Sequence, residues 1–231
     1  MHGLILAGGD GSRLLESGIT VPKALVSIAG QPQLRRMAAA CRRAGCETVT
    51  CAVRDDLVAE AIAAVGDDSV SVVPVRTASS LHTLDAGLRA VPAGTVLCTL
   101  VDSVMPDADW DAAHLAAMRA LRTVDAVVAV TPFVADESPL WTDVAPDGAV
   151  RGFGRRTEPA VVTGGVYWLG DRARAAASDA VDIGVMRLRG YLARLIETGH
   201  RVRAVEVRRI VDVDTGADLA LALALVNGEA G

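Results

Sequence analysis

The residues best suited to chemistry lie in a short stretch near the N-terminus. Three glycines occupy positions 8, 9 and 11, Ser12 and Arg13 follow directly, and Lys23 comes ten residues after Arg13. Unshielded backbone amides, a planar guanidinium and a flexible ammonium are groups that bind the oxygens of a triphosphate. Two common nucleotide-binding motifs do not fit. A P-loop needs a lysine directly after its last glycine, and a dinucleotide fingerprint needs a third glycine where Leu14 stands.

The glycines follow an apolar run, and strand-like and helix-like segments then alternate along the first part of the chain. The strand-like runs are continuous in Val, Leu and Ile rather than alternating between apolar and polar residues. This pattern is typical of a parallel sheet that helices cover on both faces. We expect strands at 2–6, 48–53, 70–75, 95–101 and 126–131, and helices at 33–44, 57–65, 80–90 and 110–122.

The alternation of strands and helices changes after Pro132. Two short apolar runs flank a Pro-Asp-Gly turn at 146–148, which predicts a hairpin over 140–152. Further strands are expected at 161–169 and 202–207, and further helices at 172–178, 186–198 and 217–226. No internal repeat, linker or low-complexity segment divides the chain, so we predict one α/β domain over 1–231.

Composition argues against several classes of function. The chain carries 23 basic and 28 acidic side chains, a net charge of −5 and no basic run, which argues against a nucleic-acid partner. No apolar run approaches the ~18 residues that span a membrane. The chain also opens without a signal-like segment, so we expect a cytoplasmic protein. The four cysteines form no C-x-x-C pair, and we interpret them as reduced thiols in or near the core.

One segment has a recognisable family signature. Leu-Ala-Gly-Gly-Asp-Gly-Ser-Arg-Leu at 6–14, followed after seven residues by Pro-Lys-Ala-Leu at 22–25, resembles that of the nucleotidyltransferases that make activated sugars and alcohols. The resemblance covers nearly the whole chain and implies a single-domain, Rossmann-like (GT-A-like) α/β fold with a mostly parallel sheet. It also implies a nucleotide-binding half at 1–131 and an acceptor-binding half, with the hairpin, at 132–231. Many sugar-specific members carry a proline where this chain has Glu16.

The reaction that the resemblance implies is nucleotidyl transfer. A phosphate oxygen of the acceptor, foremost a sugar-1-phosphate, attacks the α-phosphorus of a nucleoside triphosphate, and pyrophosphate leaves. As the two catalytic residues, Arg13 would hold the leaving pyrophosphate and Lys23 would reach the phosphates from the side. The residues expected to contact the nucleotide are Leu6, Ala7, Gly8, Gly9, Gly11, Ser12, Thr77 and Ser80.

The expected cofactor is Mg²⁺, because two polyanions must be brought together. Asp102 follows a buried strand at the edge where open α/β sheets bind ligands, and it matches the family's acidic residue at that strand end. Asp214 resembles the aspartate of the family's closing Asp-Thr segment. Asp212 is the second choice, since residues two apart on a strand share a face. Structural roles compete with both main assignments: Asp102 could cap a turn, and Asp214 could be the N-cap of the last helix.

Acceptor recognition is assigned by resemblance. Relatives carry Glu-Lys-Pro after the hairpin, whereas the stretch 154–159 has the proline without the lysine, so Arg155 or Arg156, with Glu158, would contact the acceptor. Gly165 lies in a segment that resembles the family's Ala-Gly-x-Tyr strand, where a glycine lets the acceptor approach the backbone; a bulged strand is the structural alternative. Many relatives form dimers or tetramers, so the resemblance is compatible with a homo-oligomer but does not fix the oligomeric state.

Alternatives to a sugar-1-phosphate transferase stay open. Arg-Thr-Ala at 76–78 partly matches the Gly-Thr-Ala of sugar-specific members. Ser-Leu at 80–81 instead fits cytidylyltransferases that form a CDP-alcohol or a CMP-phosphonate from a phosphocholine-like acceptor. A GT-A glycosyltransferase would need Asp-x-Asp after the central strand, and Val104 stands where the second Asp belongs. A non-catalytic nucleotide-binding homologue would have lost the catalytic cations or the first metal carboxylate, and these are present.

Overall fold

The computed structural model describes residues 1–135 and 137–228, so position 136 and positions 229–231 of the predicted domain lie outside the described residues. The strands are β1 (His2–Ala7), β2 (Ser27–Ile28), β3 (Gln31–Pro32), β4 (Thr48–Arg54), β5 (Val70–Val75), β6 (Val96–Leu100), β7 (Ser103–Val104), β8 (Ala126–Thr131), β9 (Trp141–Val144), β10 (Val150–Phe153), β11 (Val161–Leu169), β12 (Val202–Glu206) and β13 (Val211–Asp212). The helices are α1 (Ser12–Glu16), α2 (Gln33–Arg43), α3 (Val58–Val65), α4 (Ser80–Ala90), α5 (Asp107–Ala120), α6 (Asp171–Asp182), α7 (Leu188–Glu197) and α8 (Gly216–Val226).

One large sheet organises the molecule. Its strand order is β10-β9-β11-β6-β1-β4-β5, with β8 beside β11 and β12 beside β8. The pairs β6–β1, β1–β4, β4–β5 and β8–β12 are parallel, whereas β11 runs antiparallel to β6, β8 and β9. The expected α/β fold, with a mostly parallel central sheet between helices, is confirmed. The antiparallel pairs lie around β11 and the β9–β10 hairpin, whose turn falls where it was predicted.

Helices cover both faces of this sheet. In β1, Leu4 and Leu6 belong to the apolar cluster that contains buried residues of α4, α6 and α7. Ile5 and Ala7 belong to the cluster that contains buried residues of α2, α3 and α5. Successive side chains of a strand point to opposite faces, so burial of all six residues of β1 requires a helical layer on each side.

A third, smaller apolar cluster holds the short elements around the glycine loop. Its buried residues are Leu14, Val26, Ile28, Val104, Val211, Val213, Ala222 and Leu225. They come from α1, β2, β7, β13, α8 and the adjoining loops. The two-residue ribbon β7–β13 joins the segment after Asp102 to the segment before Asp214. The sequence predicted α8 but not α1, β2, β7 or β13, because two to five residues are too few to show a periodicity.

Most predicted elements agree with the structure to within a few residues. The bounds of β5, β8, β11 and α4 are those predicted. Helix α5 begins at Asp107, three residues earlier than predicted, because Asp107 and Asp109 stabilise its first turn through the helix dipole. Helix α6 continues to Asp182 rather than ending at 178, because its buried face consists of alanines that pack on the core.

The structure also bears on the predictions about the cysteines and about membrane-spanning segments. All four cysteines, Cys41, Cys46, Cys51 and Cys98, are free and buried. Burial raises the pKa of Cys51 to about 12, so this thiol stays protonated. None of the helices in the described ranges combines the length and apolar character needed to cross a membrane.

Candidate active site

The glycine loop leaves the C-terminal end of β1, beside the ends of its parallel neighbours β4 and β6. Gly11 precedes α1 with a φ of 67°, and an added Cβ would lie 3.4 Å from Lys23 Cβ. Glycine therefore permits both the turn and the close approach. In the part of the chain that the structure describes, the amides of Gly9, Asp10 and Gly11 donate to no protein acceptor. They are free to bind an anion.

Four charged side chains from distant parts of the sequence meet beside this loop. The Lys23 ammonium pairs with both Asp102 and Asp214, and Arg13 Nη1 donates to Asp214 Oδ2 at 2.7 Å. Lys23 follows Pro22 in a short 3₁₀ turn, Asp102 follows β6, and Asp214 precedes α8. The structure thus brings the two predicted catalytic cations together with both predicted metal carboxylates. We call these four side chains the charge cluster.

The centre of the charge cluster is shielded from solvent. The side chains of Lys23 and Asp102 are only 13% and 14% exposed. Burial by itself would lower the pKa of Lys23, but the carboxylates of Asp102 and Asp214 outweigh that effect, and the net pKa is raised above its ordinary value. The ammonium is therefore charged, and it neutralises carboxylates that would otherwise repel each other in a shielded site.

One oxygen of the charge cluster lacks a partner. Asp102 Oδ1 is buried and accepts no hydrogen bond from the described residues, which is costly for a carboxylate unless a further cation or donor reaches it. No described group of three or more His, Cys, Asp or Glu side chains could hold a metal. Mg²⁺, however, takes one or two protein carboxylates and completes its shell with water and substrate phosphates. Asp102 and Asp214 therefore fit the predicted metal.

Asp212 and Asp214 line the same cavity, although only Asp212 lies within a strand, so Asp212 stays the second choice for the metal. Strand β13 ends at Asp212, and Ser103 Oγ donates to Asp212 Oδ1 at 3.1 Å. Asp214 is not the N-cap of α8 either. Thr215 holds that position, in a capping box with Asp218. The carboxylate of Asp214 is thus left to the charge cluster.

A cavity of about 420 Å³ opens beside the charge cluster and has the size of a small-molecule site. Predicted nucleotide residues that line it are Leu6, Ala7, Gly8, Gly9, Thr77 and Ser80. Gly11 and Ser12, which were also predicted, are not among its described lining residues. The sequence analysis missed Ala78 and Ser79, which directly precede α4, and Thr83, which lies in its first turn. We call this space the nucleotide-side cavity.

A second cavity, of about 270 Å³, adjoins the first and is called the acceptor-side cavity. The residues that line both cavities are Ser80, Leu100 and Asp102. The other charged residues that line the acceptor-side cavity are Arg13, Arg187, Arg189, Asp212 and Asp214. Arg13 thus lies on the acceptor side of the charge cluster, whereas Lys23 lines the nucleotide side.

The sequence analysis did not predict Arg187 and Arg189. They flank the first residue of α7, where surface arginines are the ordinary interpretation. Arg189 Nη2 donates to Ser138 O at 3.3 Å, and neither arginine forms a salt bridge with a carboxylate among the described residues. The N-terminus of a helix adds partial positive charge to the same wall. An Arg-x-Arg pair in the first turn of the helix predicted at 186–198 was the available signal for an anion-binding wall.

Gly165 lines the acceptor-side cavity at an irregularity of β11. The pairing register with β8 shifts between Thr163 and Tyr167, and Gly165 has a φ of 69°. An added Cβ would overlap Ser103 Oγ and lie 3.1 Å from Leu100 Cδ1. The bulged strand that the sequence left as an alternative is therefore present, and it places a side-chain-free backbone at the cavity wall.

The remaining predicted acceptor residues lie elsewhere. The Arg156 guanidinium stands over the Trp141 ring, 5.0 Å from its centroid. Glu158 lines a separate cavity of about 590 Å³ between the β9–β10 hairpin and β12. Arg155, Arg156 and Glu158 are not among the described residues that line the acceptor-side cavity. Their contact with an acceptor stays a prediction.

Comparisons with known proteins agree with this fold. A structure of the inositol-1-phosphate CTP transferase from T. maritima superposes with a TM-score of 0.78 at 15% identity, over 96% of each chain. A structure of a putative glucose-1-phosphate thymidylyltransferase from Bacillus anthracis, in complex with a sucrose, gives a TM-score of 0.80 at 16% identity, over 97% of this chain and 94% of that one. No curated protein sequence matches the chain. The family model for the MobA-like NTP transferase domain matches residues 3–197, so the chain belongs to the MobA-like NTP transferase family.

Proposed function

We propose that this protein transfers a nucleotidyl group from a nucleoside triphosphate to a phosphorylated acceptor, and that the acceptor is a sugar-1-phosphate or a similar polyol phosphate. The observation that carries the proposal is the position of the charge cluster. Lys23 and Asp102 line the nucleotide-side cavity, and Arg13, Asp102 and Asp214 line the acceptor-side cavity. A nucleotide in one cavity and an acceptor phosphate in the other would therefore meet at Asp102.

The chemistry requires neutralisation of charge more than covalent catalysis. An oxygen of the acceptor phosphate forms a bond to the α-phosphorus while the bond from that phosphorus to the pyrophosphate oxygen breaks. Negative charge accumulates on the departing pyrophosphate. We assign its stabilisation to Lys23 and the amides of the glycine loop. The position of Arg13 on the acceptor side favours a contact with the acceptor phosphate over the predicted contact with pyrophosphate. Asp102 and Asp214 would hold Mg²⁺, which would supply further neutralisation of the phosphate charge.

Lys23 would change partners during this reaction. Its ammonium is held by the carboxylates of Asp102 and Asp214. Its flexible stem lets it turn toward a triphosphate bound against the glycine loop. The substrate phosphates would then replace Asp102 and Asp214 as the anionic partners of the lysine.

The lining of the acceptor-side cavity favours a polyol phosphate over a choline-like acceptor. Arg187 and Arg189 supply cations for a phosphate, and Thr163 and Asp212 supply partners for hydroxyl groups. A quaternary ammonium is typically held by several aromatic faces, and Tyr167 is the one aromatic side chain among the described lining residues. The two structures of similar fold, an inositol-1-phosphate transferase and a putative glucose-1-phosphate transferase, support the same class.

The test is pyrophosphate release in the presence of Mg²⁺, measured over a grid of substrates. ATP, CTP, GTP, UTP and dTTP are each combined with hexose-1-phosphates, inositol-1-phosphate, phosphocholine and aminoethylphosphonate. We expect release that depends on one triphosphate and on one polyol phosphate. Release with phosphocholine or the phosphonate would instead establish the cytidylyltransferase alternative.

Asp102→Asn removes the charge of a proposed metal ligand and should abolish release. Asp179→Asn is the matched control, because Asp179 is exposed on α6, away from both cavities. Triphosphate binding without release on the whole grid would point to a non-catalytic homologue. Failure to bind any triphosphate would contradict the assignment of the glycine loop.

A further inference from the structure

Hydrogen bonds join the N-termini of two helices, α4 and α7, that lie beside the two cavities. Helix α4 begins at Ser80 and helix α7 begins at Leu188. Leu188 N donates to Ser80 Oγ at 3.0 Å, and Leu81 N donates to Met186 O at 3.4 Å. Each helix therefore receives a cap from the segment that begins the other one, although the two segments are about a hundred residues apart in the sequence.

Helix α7 depends on this external cap. Its own N-cap residue, Arg187, makes no side-chain capping bond, and the N-cap residue of α4, Ser79, makes none either. The Ser79 hydroxyl instead donates to Met186 O, which ties the two segments together a third time. A free helix N-terminus is stabilised by a side-chain oxygen that accepts from its first amides, and here that oxygen belongs to Ser80.

The same junction lies between the two substrates of the proposed reaction. Ser80 lines both cavities, whereas Arg187 and Arg189 line the acceptor-side cavity. Leu81 and Leu188 are buried at 0% and 6% exposure, so the junction is anchored in the core on its apolar side. A shift of Ser80 is therefore transmitted to the first turn of α7 and to its two arginines.

We propose that Ser80 is a positioning residue that couples the nucleotide site to the acceptor site. Its hydroxyl holds the start of α7 so that Arg187 and Arg189 face the acceptor phosphate. A nucleotide bound against 77–80 strengthens this hold and completes the acceptor site. The inference rests on the proposed function, and it assigns Ser80 to the arginines of α7 in addition to its predicted place beside the nucleotide.

Hydrogen–deuterium exchange tests the coupling without relying on catalysis. The amides of 186–189 are followed in the ligand-free protein and with whichever of ATP, CTP, GTP, UTP and dTTP binds in equilibrium dialysis. In the wild type, the triphosphate should slow their exchange. Loss of the cap in Ser80→Ala should make the Leu188 amide exchange about fivefold faster. It should also remove the response to nucleotide, measured at a triphosphate concentration that saturates the variant.

Controls separate positioning from general loss of structure. Ser80→Thr keeps the hydroxyl and should restore the nucleotide response, and Ser71→Ala, on the exposed face of β5, should leave it unchanged. In steady-state assays at saturating triphosphate, Ser80→Ala should raise the KM for the acceptor about fivefold and lower kcat by a smaller factor. An unaltered response of 186–189 in Ser80→Ala would overturn the coupling, as would a response that is lost equally in Ser80→Thr. If no triphosphate binds the wild type, the proposed function fails instead.

Discussion

Lys23 is the only lysine in a chain whose 22 other basic side chains of the Lys/Arg type are arginines. The structure gives a physical reason for this exception. A compact ammonium fits between Asp102 and Asp214 and can turn on its flexible stem, whereas a guanidinium is planar and holds its donors in a fixed fork. The sequence predicted that Lys23 contacts phosphates, but the ion pair with Asp214 joins residues 191 positions apart and had no local signal.

Exchange of this lysine for arginine tests the requirement for a compact cation. We expect Lys23→Arg to lower kcat/KM for pyrophosphate release by about 100-fold. The guanidinium cannot both fit between the two carboxylates and turn toward the substrate phosphates. The unfolding temperature should change little, since one cation remains near both carboxylates. The reverse exchange Arg122→Lys, at an exposed position after α5, is the control and should have no effect. Wild-type activity in Lys23→Arg would refute the role assigned to the ammonium.

The backbone of Gly165 leads to a second prediction, which concerns stability. Gly165→Ala places a Cβ against Ser103 and Leu100 at a positive φ, so we expect a loss of about 1–3 kcal/mol in the free energy of unfolding. Denaturant unfolding measures this loss. Gly152→Ala is the control, because a Cβ there meets nothing within 4 Å. Equal stabilities of the two variants would show that the bulge of β11 tolerates a side chain.

At the scale of elements, short pieces of structure assemble the charge cluster. Val213 N donates to Asp102 O at 3.1 Å, and the ribbon β7–β13 fixes the loop that carries Asp102 beside the loop that carries Asp214. The capping box of α8 uses Thr215 and Asp218, which leaves Asp214 to Arg13 and Lys23. Long elements with a clear periodicity were predictable from the sequence. These two-residue elements were not, because tertiary contacts rather than local propensity stabilise them.

The contact between α5 and β11 predicts a dependence of stability on pH. Trp168 Nε1 donates to His114 Nδ1 at 3.3 Å, which requires an unprotonated Nδ1. Burial lowers the pKa of His114, although Asp111 opposes the effect. The contribution of the neutral imidazole is therefore full above the unfolded pKa of about 6.5 and is lost as the pH falls through and below that value.

Denaturant unfolding at pH 7.5 and pH 5.5 (about one pH unit on either side of the unfolded pKa) measures this contribution. The wild type should lose more stability on acidification than His114→Gln, which keeps an acceptor but does not titrate. Parallel losses in the two proteins would show that protonation of His114 does not oppose folding.

At the scale of the whole molecule, the sequence predicted the class of fold better than the arrangement of the site. Continuous apolar strands indicated a sheet covered on both faces, and the position of Asp102 after such a strand indicated the edge that carries the site. The antiparallel insertion of β11 between β6 and β8, and the approach of α7 to α4, depend on non-local packing. The sequence therefore could not distinguish Arg187 and Arg189 from surface arginines, and only the structure places them at the acceptor-side cavity.

In the proposed reaction, the α-phosphate of the nucleotide is transferred to the acceptor. The most direct measurement uses a triphosphate labelled at the α-phosphorus, with Mg²⁺ and a sugar-1-phosphate, and follows the label and the pyrophosphate together. We predict that the label enters a nucleoside-diphosphate-sugar and that one pyrophosphate is released for each product. Label that stays in the triphosphate, or appears only as free nucleoside monophosphate, would rule out nucleotidyl transfer to this acceptor.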